Sequence, residues 1–399
     1  MRTGDRPDLL LILSIAAALC IGLLTIYSTA EAMAGTAIFE RQLLWCVFGL
    51  LAMVVGIRIS MRMLDELAPY LYGFSCLLLL FTVFLGSGPA GRWIVLDPFR
   101  FQPAELTKAT LIIVVAKALA DLRRKPRRGG EIYVLLIATP AVLLTWLQPD
   151  LGTAAALCLV VLAMFLWAGY GPGWIFLLVS PLLAAISSSS LILWIAFTVV
   201  LVLVLLRKRL AFSRWVILLG GNTLVAALTP LAWNLLKPYQ QARITTFLNP
   251  AVDPHGAGWN IIQSEVAVGS GGMFGQGFLH GAQKELAFLP SRHTDFVFSV
   301  WAEEMGFVGG VLLLLLFWVI VWRITVTARK TVNPFSSFLV AGVAASFAVH
   351  VFVNVGMSLG IMPVTGLPLL LVSYGGSHLV TTLFLLGIAL RAGMSWRVM

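Results

Sequence analysis

Long apolar runs recur along almost the whole chain, each near the roughly 20 residues that a helix needs to cross the hydrocarbon core of a bilayer. They occupy residues 9–27, 43–57, 68–85, 106–119, 132–147, 151–170, 174–186, 191–206, 215–236, 296–322, 338–357 and 379–394. No water-soluble particle fits this pattern. Residues of the set AVILMFWYC make up 60% of the chain and charged residues 11%, whereas a soluble domain carries about 25% charged residues. Too little polar side chain remains to coat a core of that size. The expected fold is therefore all-α: a polytopic membrane protein with about 12 apolar segments, forming a single integral membrane domain over residues 1–399. The pattern breaks once, between residues 237 and 294, where the chain is polar and glycine-rich. That stretch reads as one long external loop.

The net charge of +10 invites a nucleic-acid partner, but its distribution argues against one. With the N-terminus in the cytoplasm, inside segments hold Arg2 and Arg6, Arg58 and Arg62, the Arg123 to Arg128 cluster, Arg207 to Arg209 with Arg214, Arg323 with Arg329 and Lys330, and Arg391 with Arg397. The outside segments hold far fewer basic residues. This is the positive-inside asymmetry of a membrane protein, and it accounts for the basicity without nucleic acid. Ala30-Glu31-Ala32 has the small-residue spacing of a signal-peptidase site, yet the run before it exceeds the 7–15 residues of a signal core, so an uncleaved first span is expected. The short runs 174–186 and 191–206, joined by Ser187 to Ser190, fit either two thin spans or a re-entrant hairpin. The four cysteines lie singly in apolar runs and read as small core residues. The five histidines show no i,i+4 metal pair, and no protein metal site is expected.

Polar groups inside apolar runs carry the functional signal, because an ionisable side chain within a membrane helix costs about 2.5–3.5 kcal/mol on insertion scales and must pair or meet water. Glu105 and Lys108 stand at i,i+3 on one face of a helix that Pro103 suits as a first-turn residue. They fit a structural ion pair, or one wall of an outward-open polar cavity to which Arg100 and Gln102 would also belong. Asp295 opens a strongly apolar run at its outer end, where a carboxylate is a natural helix cap. The glycines at 269, 271, 272, 275, 277 and 281 would let backbone amides approach a phosphate. Asp150 in Gln148-Pro149-Asp150-Leu151-Gly152-Thr153 reads as a helix cap, and Glu303 and Glu304, inside a span, must find partners.

Taken together, several motifs resemble the SEDS family (shape, elongation, division and sporulation). They are Phe247-Leu248-Asn249-Pro250, Asp253-Pro254, Gly256-Ala257-Gly258-Trp259-Asn260, Gln263-Ser264 and Phe288-Leu289-Pro290 with His293-Thr294-Asp295-Phe296. Arg100-Phe101-Gln102-Pro103, the 148–153 motif and Val372-Ser373-Tyr374-Gly375-Gly376-Ser377 extend the likeness over most of the chain. Gly281-Ala282-Gln283 and Leu286-Ala287-Phe288 look more like the elongation branch than the division branch. Ser291 stands where the family usually has Glu, and Gln276 where it often has Lys. The run from residue 174 to 236 holds two apolar segments beyond a ten-span plan.

The resemblance implies an inverting peptidoglycan glycosyltransferase, working in cell elongation and cell-shape maintenance. It would polymerise lipid II, an undecaprenyl-pyrophosphate-linked disaccharide, into β-1,4 glycan strands on the outer face of the bacterial cytoplasmic membrane. A class B penicillin-binding protein is the implied partner. On that reading Asp295 is the catalytic base, Lys108 holds the pyrophosphate together with Arg100 and with Arg243 or Arg292, and Glu105 orients Lys108. Arg100, Gln102, Arg243, Gln263, Arg292, His293 and Thr294 are the candidate substrate-binding residues, and a divalent ion (Mg or Mn) is a candidate helper for the pyrophosphate. The competing classes are a flippase or transporter for the lipid-linked precursor, and a non-catalytic scaffold for the penicillin-binding protein.

Overall fold

The computed structural model describes residues 7–31, 36–86, 91–96, 99–127, 129–208, 212–236, 241, 245–247, 258–281 and 292–395. Each apolar run lies in a helix: α1 (Leu9–Glu31), α2 (Ala37–Arg58), α3 (Met61–Leu85), α4 (Pro103–Arg124), α5 (Gly130–Leu147), α6 (Leu151–Trp167), α7 (Pro172–Ser187), α8 (Leu191–Lys208) and α9 (Phe212–Leu235). After the polar region come α11 (Val297–Lys330), α12 (Pro334–Ser358) and α13 (Gly376–Ser395), and within that region lies the 12-residue α10 (Trp259–Ser270). A two-stranded antiparallel hairpin, β1 (Ile94–Leu96) and β2 (Phe99–Phe101), precedes α4. Among the described residues nine helices are long and apolar enough to cross a membrane. Helices α6 and α7 are shorter, and α4 is long enough but carries Glu105, Lys108, Lys117 and Asp121. The chain is a multi-pass membrane protein.

The chain groups into two compact units, Met1–Met164 with Asn249–Met399, and Phe165–Leu248. In the first, α4 is enclosed by α3, α5, α12 and α13, α11 packs on α12 and α1, and α2 lies along α13. Helices α4 and α12 are buried on nearly every side. The outer helices instead turn leucine, valine and phenylalanine outward, as in α2 and α3, where lipid is the matching solvent. Helix α1 packs along α11.

Irregular backbone in this interior is satisfied by side chains. Pro140 within α5 lacks an N–H and interrupts the ladder. The Tyr72 hydroxyl enters the break, donating to Ile137 O at 2.6 Å and accepting from Ala141 N at 3.2 Å. Without it two polar backbone groups would face hydrocarbon, which costs several kcal/mol each.

The second unit is built from α7, α8 and α9. The segment 174–206 forms two helices separated by a turn at 188–190. Leu177, Ala184, Phe197, Leu201 and Leu205 form its core. Asn222 donates to Ser180 Oγ at 3.1 Å, one polar tie between α7 and α9, and Lys208 Nζ lies over the Trp174 ring.

Candidate active site

The site begins where the β1–β2 hairpin delivers the chain into α4. Arg100 is exposed on β2, Gln102 occupies the cap position, and Pro103 starts the helix as expected. Gln102 Nε2 lies 3.5 Å from Asp150 Oδ2, and Arg92 Nη1 is 3.4 Å from the same oxygen. Arg92 also donates to the carbonyls of Gln148, at 3.1 Å, and Pro149. Asp150 caps α6 through Thr153 N at 3.2 Å, so the cap reading of the sequence holds. The same carboxylate also fastens that turn to the entry of α4.

Within the first two turns of α4, Lys108 Nζ donates to Glu105 Oε2 at 2.7 Å, and both side chains are buried. A third partner comes from α12: Lys108 Nζ is 3.2 Å from His350 Nε2. His350 Nδ1 lies 3.1 Å from Pro368 O. A carbonyl only accepts, so Nδ1 carries the proton and Nε2 accepts from the lysine. The i,i+3 pair was legible locally, but His350 stands 242 positions away from Lys108, and no spacing rule reaches that far. Buried charges need pairing and further hydrogen bonds to persist, and this triad supplies both.

The third part is the turn 292–296 before α11. The helix starts at Val297 with Phe296 in the cap position and no side-chain cap bond. Asp295 thus stands one residue before the cap position. Asn354 Nδ2 donates to Asp295 O at 2.9 Å and to Leu367 O at 2.8 Å, and Asp295 Oδ2 faces Gly366, a glycine at φ +74°. Thr294 O accepts from Ser373 Oγ at 2.6 Å, and His293 O from Tyr374 N at 2.8 Å. Arg292 is buried, which lowers its pKa. Desolvation, and then the Arg292 charge, lowers that of His293, so His293 is biased toward its neutral form.

These parts meet on one segment, residues 363–377, which follows α12 and runs into the first turn of α13. Ser373 and Tyr374 hold the 292–295 turn. Gln42 of α2 accepts from Gly375 N at 3.2 Å. Ser377 Oγ accepts from Gln102 N at 3.2 Å and donates to Arg100 O at 3.4 Å. Pro368 receives His350, and a Cβ on Gly152 would overlap the Thr365 carbonyl. The structure thus brings Arg100, Gln102, Glu105, Lys108 and the run from Arg292 to Asp295 onto one scaffold. Gln263 is half-buried on α10, next to Ser264, which joins Ser299 Oγ at 2.6 Å and Ser358 O at 2.8 Å. Arg243 lies outside the described residues.

The glycine-rich turn plays another part than the phosphate cradle its composition suggested. Gly272, Gly275 and Gly277 adopt positive φ, but the amides of Gln276 and Gly277 donate to Glu303 O and Glu304 O. In return Gly272 O and Met273 O accept from Phe307 N and Val308 N. Gly306, at φ +67° and ψ −167°, breaks α11 there, and the turn completes the hydrogen bonds that the break leaves open. Glu304 accepts from Ser28 Oγ of α1, and the Glu303 carboxylate abuts Gly281. Among the described residues no three His, Cys, Asp or Glu side chains gather to hold a metal.

The model of the FtsW/RodA/SpoVE family, described as cell cycle protein, matches residues 8–197 and 174–397. The two ranges overlap at 174–197, where the chain carries its additional apolar hairpin. Peptidoglycan glycosyltransferase MrdB of Escherichia coli K12 is 36% identical, over 96% of this chain and 92% of its own. Peptidoglycan glycosyltransferase RodA of Treponema pallidum is 34% identical over 96% of each chain. Among solved structures, a chain from a peptidoglycan synthase complex that coordinates polymerization and crosslinking superposes with a TM-score of 0.73 at 32% identity, covering 98% of both chains. The rod shape determining protein RodA of Thermus thermophilus gives 0.64 at 30% identity, over 97% of this chain and 96% of that one. With the family model spanning nearly the full length and relatives above 30% identity along it, the chain belongs to the FtsW/RodA/SpoVE family.

Proposed function

We infer that this protein is a peptidoglycan glycosyltransferase that polymerises lipid II on the outer face of the bacterial cytoplasmic membrane, as part of cell elongation. One observation carries the reading: segment 363–377 ties the Arg100–Gln102 entry, the Lys108–His350 wall and the Asp295 turn into one scaffold. The relatives, named peptidoglycan glycosyltransferases along nearly their whole length, support it. In the proposed reaction the sugar hydroxyl of the acceptor attacks the anomeric carbon of the donor and displaces a lipid pyrophosphate, with inversion. Pyrophosphate leaves without the protonation that an ordinary glycoside requires, so one base is sufficient. Asp295 accepts the hydroxyl proton. Arg100 meets the pyrophosphate, and Arg292, Gln263, His293 and Thr294 are the further substrate-binding groups of this proposal. Lys108, engaged by Glu105 and His350, holds the wall behind them as a positioning group, and direct contact with phosphate would require that triad to open.

The partner in this proposal is a class B penicillin-binding protein, which cross-links the new strands. The likeness to a chain from a complex that couples polymerization to crosslinking supports it. The basic ends of α4, α8 and α11 support a cytoplasmic N-terminus. Cysteines placed singly at Arg127 and Gly277 test the orientation: an impermeant thiol reagent on intact cells, with the natural cysteines replaced, labels position 277 and not 127. Equal labelling would reject the topology. The activity is tested with purified protein and lipid II in detergent, where glycan polymer is expected. Translocation in vesicles without polymer would make the protein a transporter. Absence of both, with the penicillin-binding protein still bound, would make it a scaffold.

A further inference from the structure

Helices α2 and α13 approach closely along their seam. A Cβ on Gly49 would overlap the Leu383 side chain, one on Gly56 the carbonyl of Phe384, and one on Gly387 the carbonyl of Met53, as expected where small residues let membrane helices touch. The Trp45 indole lies against Gly376 at the start of α13. A groove of about 330 Å³ there is lined by Trp45, Phe48, Phe101 and Val380 together with Arg100, Ser377 and Thr381. Its lining is mostly apolar and carries one cation, Arg100. Arg100 is exposed and forms no ion pair among the described residues.

We propose that this groove binds the head-proximal part of the polyprenyl chain of the lipid-linked donor, with Arg100 on its pyrophosphate. The proposal rests on the reading of the protein as a lipid II polymerase and places the donor's lipid within that reading. Two observations carry it. The charge in the groove lining complements a phosphate, and guanidinium is the side chain best matched to one. The groove also shares residues with the scaffold of the site, since Ser377 bonds both Arg100 O and Gln102 N. A pyrophosphate on Arg100 therefore lies beside the entry of α4 while its lipid remains in the bilayer.

Photo-crosslinking tests the assignment. A benzophenone amino acid replaces Phe48, the full chain is reconstituted in phosphatidylglycerol nanodiscs with undecaprenyl pyrophosphate added, and the adducts are read by mass spectrometry. A second probe at Val380 covers failure of the first to fold. Polyprenyl adducts are expected despite the excess of phospholipid. They should fall about tenfold in Arg100→Ala, equivalent to ~1.4 kcal/mol of binding, while the melting temperature is held. Adducts with phospholipid alone, or a polyprenyl yield indifferent to Arg100→Ala, would overturn the groove. Phospholipid adducts from a protein that still polymerises lipid II would reject only the groove. Polyprenyl adducts from a folded protein that makes no polymer would keep the groove and reject the polymerase reading.

Discussion

Helices α4 and α9 are similar in length, 22 and 24 residues, and opposite in every respect that bears on function. Helix α9 is apolar along most of its course and buries only Asn222. Helix α4 carries an ion pair in its first turns and is buried on nearly all sides. In a bilayer, apolar surface gains nothing by turning inward, because lipid tails are as apolar as leucine. Polar and charged groups must turn inward to find partners. Low hydropathy therefore marks the interior of this protein, and α4, the helix that least resembles a span, organises the candidate site.

The contrast predicts how each region responds to substitution. The largest loss of stability is expected in α4: Lys108→Met leaves Glu105 buried without its cation, which costs roughly 3–5 kcal/mol. Thermal melting of the purified protein, followed by tryptophan fluorescence, would show it. The double reversal Glu105→Lys with Lys108→Glu should recover part of the loss, and wild-type melting of Lys108→Met would break the comparison. A smaller effect is expected at the scaffold. Ser373→Ala removes both the donor to Thr294 O and the acceptor of Leu369 N. Leaving such groups unmade costs about 1–3 kcal/mol. Hydrogen exchange of residues 292–295 should rise in that variant, and unchanged protection there would mean that the turn is held elsewhere. The smallest effect belongs to the second unit. Asn222→Leu removes one interhelical hydrogen bond, worth about 0.6 kcal/mol on average between membrane helices, and glycan synthesis should continue at the wild-type rate. A large loss of activity would show that the second unit takes part in the chemistry.

Each apolar run became a helix because length and hydropathy are local quantities, and the i,i+3 pair in α4 was legible for the same reason. The Asp150 cap was read correctly too, being a contact over three residues. The assignments that required distant partners were not available from spacing. His350 completes the Lys108 site from α12, Gln42 reaches the 373–377 segment from α2, and Tyr72 enters the break at Pro140 from α3. Composition misled in two places. Asp295 resembles a helix cap but precedes the cap position. The glycines of 271–277 read as an anion cradle, yet their amides and carbonyls complete the broken ladder around Gly306.

The account turns on the carboxylate of Asp295, and glycan synthesis by Asp295→Asn tests it most directly. Asparagine keeps the shape and removes the proton acceptor. A general base contributes typically 10²–10⁴-fold, so the variant should melt like the wild type, bind the penicillin-binding protein, and lose at least about a hundredfold in the rate of lipid II polymerisation. Near-normal glycan synthesis by a well-folded Asp295→Asn protein would contradict the assignment and move the search for the base to Asp150 or Glu105.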